Sequence, residues 1–187
     1  MRRLRPMIVL LVALALAGMA GHAQADSDTS EVRLIALAGR LRLSLTLASF
    51  AVYAPSLSDL RLHAQQLVNV LEGIGGPHYV RLPDAEEPAL GLRPDLASLV
   101  GWLREAPLEP ETRVRIAAAT RNVSFYVGMA LDAALAGLRE RRFARASDEL
   151  LKAYAYLSAA YEQPSDVATV PGLRTILRLV GLAEAEV

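Results

Sequence analysis

One stretch decides the fold of this chain: residues 110–142, PETRVRIAAATRNVSFYVGMALDAALAGLRERR. Pro110 begins it at the first helical position, where a missing backbone N–H costs nothing. Apolar residues then recur three or four positions apart, which is the spacing of a helix. They are Ile116, Ala119, Val123, Val127, Ala130, Leu131, Ala134 and Leu138. Because a long helix with one apolar face needs other elements to cover that face, the stretch predicts the centre of a helical core.

Shorter helical patterns lie before this stretch. Ser30–Tyr53 and Leu57–Glu72 are predicted helices, and Ser56 followed by Asp59 predicts a capping box at the start of the second. Gly73 follows the second helix at the position where a positive φ is cheap only for glycine. The first helix is expected to bury Val32, Ile35, Ala36, Leu43, Leu47 and Phe50, with Leu37, Leu41 and Leu45 widening its apolar face.

The helical pattern continues through the rest of the chain. A short third helix is predicted for Asp95–Glu105, a fifth for Ala144–Gln163 and a last short one for Pro171–Leu182. No segment alternates apolar and polar residues with the period of two that marks a strand. Helices joined by short connections pack as antiparallel neighbours. The sequence therefore predicts an all-α antiparallel bundle of four main helices plus one or two short ones, in a single domain over residues 26–187.

Residues 1–25 have the three parts of a secretory signal peptide. Three arginines precede an apolar run that begins at Met7, and the small-residue pattern Ala23-Gln24-Ala25 ends the segment. This order of basic, apolar and small residues is typical of a segment that is cleaved after export. We therefore expect a periplasmic or secreted bacterial protein, cleaved after Ala25.

An uncleaved membrane anchor is the alternative for the same segment. The uncharged stretch from Pro6 to Ala25 is about as long as the 20 residues that a spanning helix needs. Its second half contains glycine, histidine and glutamine instead of a continued Leu/Val run, which favours cleavage. No membrane span is expected after the cleavage point.

The composition excludes several classes of function. The 187 residues include no cysteine, which rules out thiolate metal ligands, iron–sulfur clusters and cysteine nucleophiles. Removing residues 1–25 leaves 17 basic against 20 acidic residues, and this balance gives no electrostatic attraction to nucleic acid. The remaining length suits one domain with its own core, and a homo-oligomer is permitted.

The longest irregular segment, residues 73–94, is broken by glycine and proline and follows the second helix. Loops of this length in compact domains are often functional. The two histidines outside the signal peptide flank its start, His63 in the second helix and His78 in the loop. His63 shares a helix face with Asp59, so the pair suits a metal ligand or a proton relay. The alternative is a histidine that only hydrogen-bonds Asp59.

A ligand site is therefore predicted where the second helix meets this loop, formed by Asp59, His63, Asn69, Glu72 and His78. The unpaired carbonyls at a helix C-terminus favour a cation over an anion. Neutral imidazoles of His63 and His78 favour zinc or copper, whereas calcium would use the carboxylates alone. If no metal binds, an apolar small ligand or a protein partner is expected.

The run LHAQQLVNVLEG, residues 62–73, carries a resemblance. It resembles a motif of uncharacterised bacterial secreted helical proteins, in which His-Ala-x-His-x-x-Asn-x-x-x-Gly closes a helix before a loop rich in Asp and Gly. His63, Asn69, Glu72 and Gly73 stand at the matching positions, and Gln66 stands where the motif has its second histidine. The resemblance implies a secreted helical protein and no particular activity.

The sequence contains no recognisable nucleophile–base pair, cofactor fingerprint or catalytic pair of carboxylates. We therefore expect an exported binding or interaction module for a small ligand, a metal ion or a protein partner, with no catalytic residue. The alternative is a metal-dependent or histidine-based enzyme with its site at the second helix and the loop after it. That alternative requires His63 and His78 to meet in one cleft.

Overall fold

The computed structural model of the protein describes residues 32–83, 91–161 and 171–182. The predicted signal peptide, the start of the first predicted helix, the end of the fifth at Gln163 and residues 84–90 of the irregular segment lie outside the described residues. The chain divides into two compact units, Met1–Ile35 and Ala36–Val187. Of the first unit, the structure describes residues 32–35.

Every regular element in the described part of the chain is a helix, which confirms the all-α prediction. The helices are α1 (Val32–Val52), α2 (Leu57–Glu72), α3 (Leu92–Glu105), α4 (Pro110–Arg139), α5 (Phe143–Tyr161) and α6 (Leu173–Leu179). The central helix α4 packs against α2, α3, α5 and α6. Its inward face buries seven of the eight apolar residues that the opening stretch predicted, among them Ile116, Ala119 and Val123, and leaves Leu138 half-buried.

Among α2 to α6, the most extensively packed pair is α4 and α5, which the short turn at 140–142 joins into a hairpin. Gly137 lies one turn before this connection, and a Cβ atom at that position would overlap the Leu150 side chain on α5. The missing side chain therefore allows the two helices to approach closely where they leave the turn. Arg61 of α2 donates from Nη2 to the carbonyl of Glu140 at 2.7 Å, which satisfies one of the free carbonyls at the end of α4.

Helix ends follow the prediction where a local signal fixes them. The observed α2 has the predicted bounds, between the cap at Ser56 and Gly73. By contrast α3 begins at Leu92, three residues before the predicted Asp95, because Pro94 fits within the first turn, where no N–H is needed. Helices α4 and α6 end earlier than predicted, at Arg139 and Leu179.

The prediction for the buried face of α1 is wrong for its main stripe, although Leu37, Leu41 and Leu45 are buried as expected. Val32, Ile35, Leu43 and Phe50 are exposed, at 66%, 40%, 47% and 54% of their surface. Ala36 is exposed and Leu47 is half-buried. The face that packs inward includes Leu37, Ala38, Leu41, Leu45, Ala48 and Ala51. Both faces of this helix are apolar, so its periodicity did not determine which one is covered.

Two arginines join α1 to other helices and fix its rotation. Arg40 forms an ion pair with Asp95 in the first turn of α3. Arg42 donates from Nε to the hydroxyl of Tyr161 on α5 at 2.7 Å, and its guanidinium lies 5.4 Å from the centre of that ring. These contacts place the side of α1 that carries Leu41 against the helical core.

By length and composition, α1 is also apolar enough to cross a membrane, and 44% of its most apolar window is buried within the protein. The expectation that no membrane span follows residue 25 stays a prediction, with α1 as a weak candidate for such a span. Buried core helices pass the same test, so this property alone does not assign α1 to a membrane.

Candidate functional site

The end of α2 and the loop after it form one locally hydrogen-bonded unit. Gly73 ends the helix with φ 78° and ψ 177°, a backbone region open essentially to glycine alone, and its N–H donates to the Asn69 carbonyl at 2.8 Å. The chain then turns twice, with bonds from the Gly76 N–H to the Gly73 carbonyl at 3.0 Å and from the Tyr79 N–H to the Gly76 carbonyl at 3.2 Å. These turns bring the loop back along the last turns of α2.

Asn69 holds the returning loop by its backbone. Its Oδ1 accepts from the Val80 N–H at 3.1 Å, and its Nδ2 donates to the Val80 carbonyl at 2.6 Å. Only 5% of the residue is exposed. The amide side chain thus pairs with one loop residue as a neighbouring strand would, and it satisfies both of that residue's backbone groups.

Glu72 holds the loop two residues earlier. One carboxylate oxygen accepts from the His78 N–H at 2.8 Å, and the other lies 2.8 Å from His78 Nδ1. The carboxylate is 2% exposed, while the His78 side chain is 49% exposed. A buried carboxylate needs such partners, so the Glu72–His78 contact is a structural requirement of this loop.

Gln65 completes this group, although the sequence analysis did not select it. Its Nε2 donates to Asn69 Oδ1 at 3.0 Å and to the His78 carbonyl at 2.9 Å. The spacing of Gln65 four residues before Asn69 was the available signal, because such residues share a helix face. The loop clamp, as we call Gln65, Asn69 and Glu72 together, grips the chain at His78 and Val80.

The other two predicted site residues lie elsewhere on α2. His63 Nδ1 is 3.0 Å from Gln66 Oε1, and its ring contacts Phe50 of α1 at 5.6 Å between centroids. Asp59 lies at the start of the helix, where its carboxylate accepts from the Ser56 hydroxyl at 2.6 Å and its N–H donates to Ser56 Oγ at 3.1 Å. From the helical rise, Asp59 and Glu72 are about 20 Å apart along the axis. The structure therefore brings together Asn69, Glu72 and His78 only.

The cap at Ser56 forms in part as predicted. The Ser56 hydroxyl accepts from the Asp59 N–H, which is the first half of a capping box. The second half differs: the Asp59 carboxylate accepts from the Ser56 hydroxyl instead of the Ser56 backbone N–H. Asp59 thus has a local partner, and its predicted contact with His63 is replaced by the contacts of His63 with Gln66 and Phe50.

A pocket of about 440 Å³ lies beside the loop clamp, between the loop and the start of α3. Its wall consists of the 73–77 segment on one side and Gly91, Arg93 and Pro94 on the other, with Glu72 at the back. Gly91 packs directly on the backbone of Glu72 and Gly73, where a Cβ atom would collide with the Glu72 carbonyl. This close approach brings the N-terminus of α3 to the C-terminus of α2.

The charges around the pocket differ from those expected from α2 alone. The cap residue of α3 is Gly91, which has no side chain to satisfy the first N–H groups of that helix. Arg93 is exposed in the first turn, with no hydrogen-bond or ion-pair partner among the described residues. Both oxygens of the Glu72 carboxylate are already hydrogen-bonded to His78. Among the described side chains of the pocket wall, the charged group without a partner is thus the guanidinium of Arg93.

The metal expectation gains no geometric support. The described residues contain no group of three or more histidine, aspartate or glutamate side chains that could hold an ion. His63 and His78 have separate partners, and neither of them lines the pocket. A zinc or copper site formed by these two residues stays a prediction from the sequence.

The sequence analysis missed Arg93 and Gly91 as well as Gln65. No local pattern marks Arg93, since its position at the pocket depends on the contact of Gly91 with the end of α2. No protein-family model, curated protein or solved structure matches this chain. The resemblance of residues 62–73 to secreted helical proteins stays a prediction, and the function has to be argued from the site itself.

Proposed function

We propose that this chain is an exported binding protein that holds a small anionic ligand in the pocket between the 73–77 loop and the N-terminus of α3. In this proposal the helices form an antiparallel bundle, and the bundle serves as a rigid support for that pocket. The signal-like residues 1–25 direct export, with cleavage after Ala25 into the periplasm or the medium. The ligand is a small molecule that carries a carboxylate or phosphate group.

One observation carries the proposal: Arg93 lies at the pocket without a partner among the described residues, on the first turn of a helix that has no side-chain cap. The guanidinium presents donors in a fork that matches carboxylate and phosphate oxygens. The N–H groups of Leu92 and Arg93 add donors and a partial positive charge, whereas Pro94 has no N–H and the Asp95 N–H donates to the Gly91 carbonyl. An anion satisfies both sets of donors together.

The size and lining of the pocket also favour a small molecule. A volume of about 440 Å³ lies within the range of ligand sites, which is about 300–1,000 Å³. Ile74, Pro77 and Pro94 give it apolar walls, and the glycines between them allow a ligand to approach the backbone. The loop clamp at Asn69 and Glu72 supports this wall from behind.

Binding is favoured over catalysis because the described pocket wall carries few titratable side chains. Among the described residues of the pocket wall, Glu72 and Arg93 are the titratable ones, and Glu72 already has His78 on both oxygens. The enzyme alternative needs His63 and His78 in one cleft, and no observation favours that arrangement. Asn69, Glu72 and His78 then act as the support of the site, and Arg93 is the residue that contacts the ligand.

The test is a binding screen with inorganic phosphate, sulfate, succinate and citrate, measured by calorimetry and by thermal shift at constant ionic strength. Zinc and copper are included as the alternative predicted from the sequence. At least one anion should raise the melting temperature and saturate. Arg93→Gln should then weaken its binding by about tenfold or more, because a charge-assisted hydrogen bond contributes about 1.5–3 kcal/mol.

The matched control is Arg121→Gln, which removes an equally exposed arginine from α4 and should leave binding unchanged. Arg93→Lys should recover part of the affinity, since it restores the charge without the planar fork. If all four anions leave the melting temperature unchanged, the proposal is wrong. If instead zinc or copper binds and the double variant His63→Ala, His78→Ala abolishes that binding, the metal site replaces it.

A further inference from the structure

An apolar stripe runs along the outer face of α1, from Ala36 to Tyr53. Tyr53 is 84% exposed, Phe50 54% and Leu43 47%. Tyr53 follows the last residue of the helix but continues its spiral, since its N–H donates to the Ser49 carbonyl at 3.0 Å. The outer stripe, as we call it, comprises Ala36, Gly39, Leu43, Thr46, Leu47, Phe50 and Tyr53.

The outer stripe has the spacing of a two-helix seam. Residues 36, 43 and 50 are seven positions apart, and residues 39, 46 and 53 follow each of them by three. These are the a and d positions of a heptad, which form the contact line between paired helices. A helix that packs only on its own bundle has no need for a second apolar line on its outer side.

The smallest side chains of the stripe lie at its N-terminal end and the largest at its C-terminal end. Ala36 and Gly39 stand at the N-terminal end, and a Cβ atom added to Gly39 would meet nothing within 4 Å. The C-terminal end carries the two large rings, Phe50 and Tyr53. One end thus offers open space, and the other offers side chains that fill space.

We propose that two copies of this chain pair through the outer stripe in antiparallel orientation. In this register Tyr53 lies on Ala36 of the second copy, Phe50 on Gly39, and Leu43 on Thr46. All three contacts occur twice about one two-fold axis, as in a closed symmetric dimer. The large residues of each copy cover the small residues of the other, which a parallel pairing would not allow.

The charges near the stripe are compatible with this pairing. Arg40 and Arg42 flank it, but Arg40 is paired with Asp95 and Arg42 with Tyr161. The stripe itself carries no charged side chain between residues 36 and 53. The charge of Arg40 is compensated by Asp95, whereas Arg42 keeps its charge and is held at α5 by Tyr161, beside the seam. The pairing therefore places no charged side chain at the a and d positions.

The size of the surface indicates a weak, reversible dimer. A covered aromatic side chain buries about 150–250 Å², so the uncovered parts of Phe50 and Tyr53 amount to roughly 280 Å² per copy. The leucines and the small residues add to this area over a seam about 25 Å long. The total stays near or below the lower end of standard interfaces, about 1,200 Å². We expect a dissociation constant of about 10–100 µM.

The test is sedimentation velocity of the purified protein from about 2 to 400 µM, a range that brackets this dissociation constant. The wild-type protein should change from monomer to dimer over this range. Gly39→Glu and Phe50→Lys should each weaken dimerisation at least about tenfold, because each buries an unpaired charge in the seam. An equimolar mixture of the two variants should recover a heterodimer, since the introduced carboxylate then faces the introduced ammonium group at one contact and the other contact is native.

Matched controls test whether the charged substitutions weaken dimerisation because of their position in the stripe. Gly101→Glu on α3 and Phe125→Lys on α4 change the same residue types at exposed positions away from the stripe, and both should dimerise as the wild type does. The melting temperature of each variant at low concentration checks that it is folded. Substitution of a helical glycine with open space around it should not lower that temperature.

The orientation is tested by cross-linking, because the chain contains no cysteine of its own. Leu43→Cys mixed with Thr46→Cys should form the mixed disulfide under diamide faster than either variant forms its own. Preferred self-linking of each variant contradicts the antiparallel register. A protein that is monomeric at 400 µM overturns the proposal, and so does a dimer that both charged variants leave intact. A monomer that binds neutral phosphatidylcholine vesicles through Phe50 overturns it in favour of a lipid surface.

Discussion

Removal of the Asn69 side chain should release the loop after α2 while the helices stay folded. Asn69 makes three hydrogen bonds, two to the backbone of Val80 and one with Gln65. Each of these hydrogen bonds contributes about 1 kcal/mol net to the stability of the closed loop. Because Val80 is 48% exposed, water can replace part of the hydrogen bonding that its backbone loses. For Asn69→Ala we expect a loss of about 2 kcal/mol, which is about 30-fold in the equilibrium between the closed and open loop.

Hydrogen exchange of the Val80 amide measures this effect directly. Its N–H is protected by Asn69 Oδ1, so the rate of exchange should rise about 30-fold in Asn69→Ala. Amides in the middle of α4 should change much less, because they exchange through larger openings. The melting temperature should fall by at most about 4–8 °C, and by less if the loop opens before the bundle unfolds.

Gln66→Ala is the control for this experiment. Gln66 is an amide on the same helix, but its partner is His63 and it makes no contact with the loop. It should change the exchange of Val80 by less than about twofold, in line with a surface substitution. If Val80 exchanges at the same rate in Asn69→Ala and Gln66→Ala, then Asn69 does not hold the loop, and the argument that the pocket wall depends on it is wrong.

The remaining predictions concern glycines and are checked by urea denaturation. Gly91→Ala should lower the free energy of unfolding by about 1–3 kcal/mol, because its Cβ would collide with backbone atoms at the end of α2. A Cβ atom at Gly75 would meet nothing within 4 Å, so Gly75→Ala should not show this steric cost. Gly137→Ala should also destabilise, because its Cβ would overlap the side chain of Leu150 in the core. Gly128 lies on the same helix with open space around it, so Gly128→Ala should stabilise the protein by up to about 1 kcal/mol. Equal effects of the substitutions at Gly137 and Gly128 would contradict the close contact between α4 and α5.

The elements that the sequence predicted best are those with signals at both ends. Helix α2 has a capping serine before it and a glycine after it, and its observed bounds match the prediction. Both signals act through neighbouring residues, so no knowledge of the rest of the fold is needed. The start of α3 lacks such a signal. The prediction begins this helix at Asp95, after Pro94, although a proline fits within a first helical turn.

The rotation of α1 was predicted wrongly for a physical reason. Its leucines and alanines occur on all sides, so the hydrophobic pattern permits more than one inward face. The face is selected by contacts with distant residues, the ion pair of Arg40 with Asp95 and the bond of Arg42 to Tyr161. The error is informative, because the stripe that was assigned to the core is the one that the antiparallel dimer would cover.

At the predicted site, polar residue type predicts five side chains in one place, and the structure brings three of them together. Asn69, Glu72 and His78 do meet, but each is hydrogen-bonded to another part of the same loop and helix. A buried polar group that already has its partners contributes to the fold and has little capacity left for a ligand. The group with free donors is Arg93, which the structure brings to the pocket through the backbone contact of Gly91 with Glu72.

The sign of the ligand charge follows from the same distinction. Considered alone, the C-terminus of α2 presents carbonyls and favours a cation. In the folded protein, the Asn69 carbonyl accepts from Gly73, and the Glu72 carbonyl is covered by Gly91. The N-terminus of α3 keeps its first N–H groups without a side-chain cap, and Arg93 stands beside them. The charged side chain without a partner among the described residues of the pocket wall is Arg93, and its guanidinium is the group for which we propose an anionic ligand.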